Sequence, residues 1–170
     1  MNRKTLVLNT LDADVCDRYT DSIPVAAMGD VEVLNTEKMN IGHCRGCNFC
    51  LLKTPGECSI KDDYEQILSR LAHTRNLWLI ADTRFGFLNY KGKKVMDRIL
   101  PMLLINLTFK EGEMRHMLRY DTKLNIGVVY CGDGNEKLLN EWCQRASLNL
   151  GGHSLGALPI DKMEEMARCM

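Results

Sequence analysis

The chain has 170 residues, and its 22 Lys and Arg balance 22 Asp and Glu, so the formal net charge is zero. Without a basic surface we expect neither nucleic acid nor an anionic membrane as a partner. No apolar run approaches the roughly 20 residues of a membrane span, and the N-terminal run is too short for a signal peptide. We expect one cytoplasmic domain over residues 1–170, whose eight cysteines are thiols or ligands rather than disulfides.

The first half of the chain predicts two short strands and one well-marked helix. Residues 5–9 and 31–34 have the apolar composition of buried parallel strands, and residues 12–23 form a weaker helical pattern between them. Asp62 and Glu65 have the spacing of a capping box. This pair predicts a helix whose apolar stripe is Ile67, Leu68 and Leu71.

The second half continues the alternation of strands and helices. Residues 77–81 predict a third buried strand that runs into a polar and aromatic loop at 82–90, and a helix is expected at 91–103. Residues 104–123 are expected to form a long connection of undefined structure, and this is where we expect subunits to meet.

Two further strands are predicted near the end of the chain. Residues 125–130 form the fourth predicted strand, and residues 155–158 form a fifth at the edge of the sheet. The helix between them has Leu138, Leu139, Trp142 and Ala146 on its inward face. A short helix is expected over the last ten residues.

Strands that alternate with helices predict right-handed βαβ units and a parallel α/β sheet covered on both faces. In such sheets a ligand binds beyond the carboxyl ends of the strands, where the strand order switches. The loops after Leu8, Ala81 and Tyr130 are therefore the expected ligand site.

Four cysteines fall between residues 44 and 58: Cys44, Cys47, Cys50 and Cys58. Three of them at C-x2-C-x2-C spacing can converge on one soft metal centre, and the Pro55-Gly56 turn can return Cys58 as a fourth ligand. Zinc usually binds two separated pairs, whereas a tight run with a distant fourth thiol is typical of a four-iron cluster. Spacing alone leaves open an iron–sulfur cluster, zinc and four free cysteines.

Three motifs together resemble a known family. Cys44-x2-Cys47-x2-Cys50, Gly56-x-Cys58-x-Ile60-x-Asp62-Asp63 and Lys93-x3-Asp97-Arg98 are similar to those of flavodoxin-like NAD(P)H-dependent FMN reductases, and within them of the iron–sulfur flavoproteins. The resemblance covers residues 41 to 98 and extends more loosely to residue 132. It implies a flavodoxin-like three-layer sandwich with a five-stranded parallel sheet, FMN, NAD(P)H or a redox protein as electron donor, and a homodimer or homotetramer.

The resemblance also implies the residues of the two cofactor sites. A [4Fe-4S] cluster corresponds to Cys44, Cys47, Cys50 and Cys58, in a cysteine-rich insertion at 44–58. The positions that bind FMN correspond to Asn9, Thr10, Thr83, Arg84, Phe85, Gly86, Phe87, Asn89, Cys131 and Gly132. No catalytic side chain is assigned, because hydride and electron transfer belong to the flavin.

The first and third loops depart from the family pattern. Where the family has a Gly/Ser/Thr-rich phosphate cradle, this chain has residues 9–14 with two carboxylates, whose charge opposes a phosphate. The family's Pro-x-Tyr is replaced by Asp82-Thr83-Arg84, in which Arg84 is a candidate to bind the phosphate or the flavin edge. Two alternatives follow: a flavin-free iron–sulfur electron carrier or assembly partner, and a zinc-stapled binding module.

Three aromatic residues lie near the third loop: Phe85, Phe87 and Tyr90. They have two interpretations, an aromatic shelf under a flavin ring or the ordinary packing of a loop against the sheet. The sequence does not separate these interpretations.

Overall fold

The computed structural model describes residues 5–12, 30–110 and 112–168. Its strands, in chain order, are β1 (Thr5–Asn9), β2 (Val31–Asn35), β3 (Asn76–Arg84), β4 (Phe87–Leu88), β5 (Leu103–Lys110), β6 (Glu113–Leu118), β7 (Leu124–Gly132) and β8 (Gly151–Pro159). The α-helices are α1 (Phe49–Leu52), α2 (Tyr64–Leu71), α3 (Tyr90–Asp97) and α4 (Glu136–Asn149), and 3₁₀ segments cover Leu100–Met102 and Ile160–Arg168. The helix predicted at 12–23 lies outside the described residues from residue 13 onward.

Five strands form a parallel sheet in the order β2-β1-β3-β7-β8. The chain first adds β2 on one side of β1 and then crosses to the other side for β3, so the strand order switches between β1 and β3. This is the flavodoxin-like order, which places the ligand crevice beyond the carboxyl ends of these strands. The predicted fold class is confirmed, with one addition: the two-residue β4 pairs antiparallel with the end of β3.

The core lies on both faces of the sheet because side chains alternate along each strand. Leu6, Leu8 and Leu79 face α2, α3 and α4, whose buried residues join the same cluster. Val7 and Trp78 face the opposite side, where the C-terminal 3₁₀ segment contributes Met163 and Met166. The continuous burial of β1, β3 and β7 explains why these strands are recognisable as uninterrupted apolar runs.

The structure corrects the predicted helix at 91–103. Helix α3 ends at Asp97, and residues 100–102 form a 3₁₀ turn with a proline in its first turn. Pro101 cannot continue an α-helix because it lacks an amide hydrogen and clashes with the preceding turn. Leu103 is still buried, as predicted, but it lies at the start of β5 rather than on the helix.

The structure also corrects the undefined connection at 104–123. Strands β5 and β6 form an antiparallel hairpin with Lys110 opposite Glu113 across the turn. The alternation of apolar and polar residues from Ile105 to Lys110, followed by Gly112, is a hairpin signal that was missed. All residues from 105 to 110 are exposed, so both faces of this strand reach solvent.

Two smaller predictions are also wrong in detail. The loop expected at 82–90 begins late, because β3 continues through Arg84 and turns directly into β4. On α4 the buried residues are Leu139, Cys143 and Ser147, whereas Leu138 is exposed. Among the residues that the structure describes, no helix combines the length and apolar character that a membrane crossing requires.

Candidate functional site

The cysteine loop, residues 43–59, folds back on itself around the short helix α1. Two residues with positive φ, Gly46 and Asn48, turn the chain into α1. At its end, the amide of Gly56 donates to the carbonyl of Cys50 at 3.0 Å, and the amide of Glu57 donates to the carbonyl of Thr54 at 2.8 Å. This reversal returns the chain so that Cys58 follows directly after the turn.

The four thiols of the loop are free and differ in exposure. Cys44 and Cys47 are exposed, and Cys50 and Cys58 are half-buried. Burial raises the pKa of Cys50, and the neighbouring charges of Cys58, Cys44 and Cys47 raise it further. All three other thiols therefore lie within electrostatic range of Cys50. Within the described residues, no three His, Cys, Asp or Glu side chains have the arrangement of a closed metal site.

Cys47 is a thiol with a polar side-chain partner. Its Sγ lies 3.3 Å from the hydroxyl oxygen of Ser59. The hydrogen bond with Ser59, followed by one from the backbone of Phe49, lowers the pKa of Cys47. A thiol whose anion is stabilised in this way is suited to act as a ligand for a soft metal.

A buried ion pair clamps the two ends of the cysteine loop together. Arg98, which follows α3, donates from Nη1 to Asp62 Oδ2 at 2.5 Å, and the two side chains are 0% and 5% exposed. The same guanidinium donates to the carbonyl of Gly42 at 3.2 Å and to the carbonyl of Ile60 at 3.1 Å. One side chain therefore fastens the segment that enters the loop to the segment that leaves it.

Asp62 completes this clamp and does not form the predicted capping box. Its carboxylate accepts from the amide of Gly42 at 2.8 Å and from the amide of Tyr64 at 3.0 Å. Burial acts to raise the pKa of Asp62, but hydrogen bonds from Arg98, Gly42 and Tyr64 outweigh it and hold the pKa below its ordinary value. Glu65 pairs with Lys61 at 2.8 Å instead of reaching back to cap the helix.

Two buried hydrogen-bond donors beside the Asp62–Arg98 pair have no acceptor among residues 5–12, 30–110 and 112–168. They are Nε of Arg98 and the hydroxyl of Tyr64, and each side chain belongs to a residue that is 1% exposed. The guanidinium carbon of Arg98 lies 4.5 Å from the centroid of the Tyr64 ring. Burial lowers the pKa of Arg98, but its hydrogen bond to Asp62 and the electrostatic effects of Cys58 and Asp62 raise it overall.

One aromatic contact connects the cysteine loop with the carboxyl edge of the sheet. His43, directly before Cys44, lies 6.4 Å from Tyr90, measured between ring centroids. Tyr90 begins α3, immediately after the turn that follows β3. The predicted cluster residues and the predicted flavin loop therefore adjoin each other.

At the strand ends, the polar residues predicted to bind FMN bond mainly to the protein itself. Thr10 Oγ donates to the carbonyl of Ile80 at 3.0 Å, and the side chain of Asn9 accepts from the amide of Leu11 at 3.1 Å. Thr83 Oγ donates to the carbonyl of Cys131 at 2.6 Å. These contacts join β1, β3 and β7 at the edge where the ligand crevice is expected.

Asn89 and Asp12 likewise organise the edge. The side chain of Asn89 caps α3 by accepting from the amides of Lys91 and Gly92 at 3.0 and 3.1 Å. Asp12, one of the two carboxylates of the first loop, forms an ion pair with Lys91. The other, Asp14, lies outside the described residues.

The turn at residues 84–87 presents one large aromatic group to solvent. Phe85 is 89% exposed and has a φ of 56°, and the guanidinium carbon of Arg84 lies 5.7 Å from its ring centroid. The left-handed backbone costs a non-glycine residue about 1 kcal/mol. Phe87 instead packs edge-on against Trp142 at 5.9 Å, and Gly86 accepts from the amide of Asn135 at 2.9 Å. Phe85 and Tyr90, which is 62% exposed, therefore have the exposure that stacking on a ligand requires, whereas Phe87 does not.

The second predicted ring-side loop begins at the end of β7. Cys131 pairs in register with Asp82 of β3, and Gly132 pairs with Thr83. This register brings Cys131, Gly132 and Thr83 to the same edge as the turn that follows β3 at residues 84–87. The predicted flavin residues are thus gathered along one edge, although Phe87 and the buried threonines are directed to internal contacts.

Sequence reasoning missed the roles of Tyr64 and Arg98. The sequence places Arg98 in a family motif and on a solvated basic helix face, but the structure leaves it only 1% exposed, and no sequence motif singles out Tyr64. A weak signal existed, since Arg98 directly precedes the apolar pair Ile99-Leu100, and a buried arginine needs an acidic partner such as Asp62, four residues after Cys58. Spacing could not reveal that these residues, 36 positions apart, meet.

No protein-family model matches this chain. An iron–sulfur flavoprotein of Methanocaldococcus jannaschii is 30% identical over 73 residues, which are 43% of this chain and 37% of the relative. An iron–sulfur flavoprotein of Archaeoglobus fulgidus is 29% identical over 69 residues, which are 41% of this chain and 33% of the relative. The matches thus span about a third of the length of these curated relatives.

The fold is shared with solved flavoproteins at low identity. An FMN-dependent NADH-azoreductase from Bacillus anthracis, solved in complex with FMN, has a TM-score of 0.56 and 13% identity, with 98% of each chain covered. This similarity shows a common fold. Together with the curated relatives, it supports the resemblance to flavodoxin-like FMN reductases and iron–sulfur flavoproteins.

Proposed function

We propose that this chain is an FMN-dependent oxidoreductase that transfers electrons between NAD(P)H or a redox protein, a flavin at the carboxyl edge of the sheet, and a [4Fe-4S] cluster in the cysteine loop. The observation that carries this proposal is the adjacency of two regions. Four free thiols lie in one clamped loop, and His43 of that loop contacts Tyr90 at the start of α3. Electron transfer between two cofactors requires such proximity.

The cysteine loop fits a four-iron cluster by the chemistry of its donors. The other three thiols each act on the pKa of Cys50, and thiolates are the ligands of such clusters. Cys44, Cys47, Cys50 and Cys58 would hold the cluster, with Ser59 supporting the anion of Cys47. The Asp62–Arg98 clamp would hold the two ends of the loop at a constant separation.

The carboxyl edge fits a flavin through its exposed aromatic rings and through its backbone. Phe85 is available to stack on an aromatic ligand, and Arg84 beside it supplies a cation for an electron-rich edge. Asn9, Thr10, Thr83 and Asn89 would act indirectly by holding the strand ends, while Gly86, Phe87, Cys131 and Gly132 would form the surrounding surface. When bound, FMN supplies the hydride and electron chemistry, and the chain orients it and excludes water.

A second function is favoured by the first loop. Asn9 and Thr10 are engaged in internal hydrogen bonds, and Asp12 is paired with Lys91 near the place where a phosphate would bind. A chain that kept the cysteine loop but lost the phosphate site would be a flavin-free iron–sulfur electron carrier or assembly partner. Binding of FMN separates the two functions.

We also propose that the β5–β6 hairpin joins two copies of the chain in a homodimer or homotetramer. Its exposed apolar residues are Ile105, Leu107, Phe109, Met114 and Met117. A hairpin that carries this much exposed apolar surface is typical of a region that another protein covers. Light scattering should give the mass of two or four chains, and a Phe109→Glu variant should give a smaller mass. A monomeric wild-type protein would contradict this proposal.

The proposed function is tested on protein purified without oxygen and reconstituted with iron and sulfide. We expect about four irons and four sulfides per chain, an iron–sulfur shoulder in the absorption spectrum, and a perturbed flavin spectrum when FMN is titrated. NAD(P)H should then reduce the bound flavin. A shoulder with no FMN binding would favour the electron carrier, and zinc in place of iron would favour the zinc-stapled binding module.

A further inference from the structure

We propose that Arg98 and Tyr64 are outer-sphere hydrogen-bond donors to the sulfur atoms of the cluster, and that they raise its reduction potential. This inference rests on the proposed cluster at Cys44, Cys47, Cys50 and Cys58. It concerns two side chains that are not cluster ligands. Their part would be to position the loop and to stabilise the state that carries the additional electron.

The position of Arg98 points to this role. Its Nη1 donates to the carbonyl of Gly42, two residues before Cys44, and its Nη2 donates to the carbonyl of Ile60, two residues after Cys58. The guanidinium thus bridges the two chain segments that flank the first and the last cysteine of the loop. The ring of Tyr64 packs on the guanidinium. The guanidinium carbon lies 4.5 Å from the centroid of this ring.

The hydrogen-bonding state of these side chains points the same way. In the described part of the chain, Nε of Arg98 and the hydroxyl of Tyr64 are buried donors without an acceptor. Leaving a buried donor unpaired costs about 1–3 kcal/mol, so two such donors together require a reason. Tyr64 belongs to the same buried group, because its ring packs on the guanidinium of Arg98.

The expected effect on the cluster follows from charge. One-electron reduction adds a negative charge to the cluster, which is shared by its sulfur atoms. Hydrogen bonds to those sulfurs stabilise the more negative state and so raise the potential. Asp62 neutralises the guanidinium through its ion pair. We therefore assign the effect to the Nε–H and O–H dipoles rather than to a net positive charge.

The experiment measures the reduction potential of the reconstituted cluster by a dye-mediated titration followed by electron paramagnetic resonance. Tyr64→Phe removes one oxygen and keeps the ring, and Arg98→Lys keeps the charge but loses Nε–H. The matched control is Tyr130→Phe, since Tyr130 is also buried but its pKa responds to burial, Glu136 and Asp161 rather than to the cysteines.

We expect Tyr64→Phe to retain the wild-type iron and sulfide content, and we expect the cluster of both variants to have a lower reduction potential. Loss of one hydrogen bond of about 1 kcal/mol changes the reduction equilibrium about fivefold, which is about 40 mV at 59 mV per decade. Tyr64→Phe should not lower the stability of the metal-free protein, because it removes an unpaired donor. This combination distinguishes a role toward the cluster from a role in folding.

Two results would overturn the proposal while leaving the cluster in place. One is a wild-type potential in either variant, and the other is an equal shift in Tyr130→Phe. If Arg98→Lys fails to fold, Tyr64→Phe carries the test alone. A wild-type protein that takes up no iron would overturn the proposed cluster and this inference together.

Discussion

The cysteine loop and the β3 turn (residues 83–89) use their polar residues in opposite ways. In the cysteine loop the buried pair Asp62–Arg98 fixes the base, the thiols remain free, and two buried donors are unpaired in the described structure. In the β3 turn the polar side chains of Thr83 and Asn89 bond to the backbone, and the exposed group is an aromatic ring.

This difference indicates how each region would bind a ligand. The cysteine loop offers side chains for direct coordination and for hydrogen bonds to sulfur. The β3 turn offers Phe85 for stacking, on a backbone that its own polar side chains hold in place. Mutations in the loop should therefore affect stability and metal content, whereas mutations in the turn should affect mainly the affinity for flavin.

The largest effect is expected from breaking the clamp. Arg98→Met leaves the carboxylate of Asp62 buried without its cation, so the free energy of unfolding should fall by about 3–5 kcal/mol. Urea denaturation of the metal-free protein measures it. The matched control is Lys93→Met, which removes the exposed Lys93–Asp97 pair and should cost less than about 1 kcal/mol. Equal losses in the two variants would contradict the special role of the clamp.

The clamp also predicts an acid-dependent stability. The pKa of Asp62 is lower in the folded than in the unfolded protein, so its contribution is fully present above the unfolded value of about 3.9 and is lost as the pH falls through the folded value. Between pH 6 and pH 2, the unfolding free energy should therefore fall less steeply for Asp62→Asn than for the wild type. If the free energy of unfolding fell equally with pH in the two proteins, Asp62 would not contribute to the loss of stability in acid.

A smaller effect is expected at the turn that returns Cys58. Gly56 has a φ of 89°, and a Cβ there would lie 3.2 Å from Cδ of Arg119. Gly56→Ala should therefore destabilise the protein by about 1–3 kcal/mol and lower its iron content. Gly112→Ala is the control, because Gly112 has a φ of 79° with nothing within 4 Å of the added carbon. If both variants lose equal stability and keep their iron, crowding at Arg119 has no part in forming the loop.

The smallest effect is expected at the β3 turn. Phe85→Ala removes a stacking surface of about 0.5–1.5 kcal/mol, so the Kd for FMN should rise about three- to tenfold without loss of stability. Arg84→Ala should also weaken binding. Phe109→Ala is the control, because Phe109 is a similarly exposed aromatic on the hairpin. Equal affinities for the Phe85 and Phe109 variants would exclude Phe85 from the flavin site.

The sheet could be predicted from sequence because its central strands are buried on both faces. Runs such as residues 77–81 and 126–130 have no polar interruption, and this pattern directly reflects burial. The hairpin could not be recognised by the same rule, since residues 105–110 are exposed on both faces. Its alternating composition was a weaker signal than a buried run.

The candidate site was predictable in its residue types but not in its contacts. The cysteine spacing identified the loop, and the strand ends identified the edge at which Thr83 and Cys131 meet. The clamp joins two segments that are distant in the chain, because α2, β3 and α3 lie between Asp62 and Arg98. Such a pairing has no local sequence signature. The positive φ of Phe85 was also not predictable, because non-glycine residues rarely adopt this conformation.

The most direct test of the central claim is the iron and acid-labile sulfide content of two cysteine variants after identical anaerobic reconstitution. Cys47→Ala removes an exposed thiol of the loop, and Cys143→Ala removes a core thiol whose pKa burial raises to about 12. The account predicts wild-type iron and sulfide in Cys143→Ala and a loss of both in Cys47→Ala. Equal iron and sulfide in the two variants would contradict a cluster held by the cysteine loop.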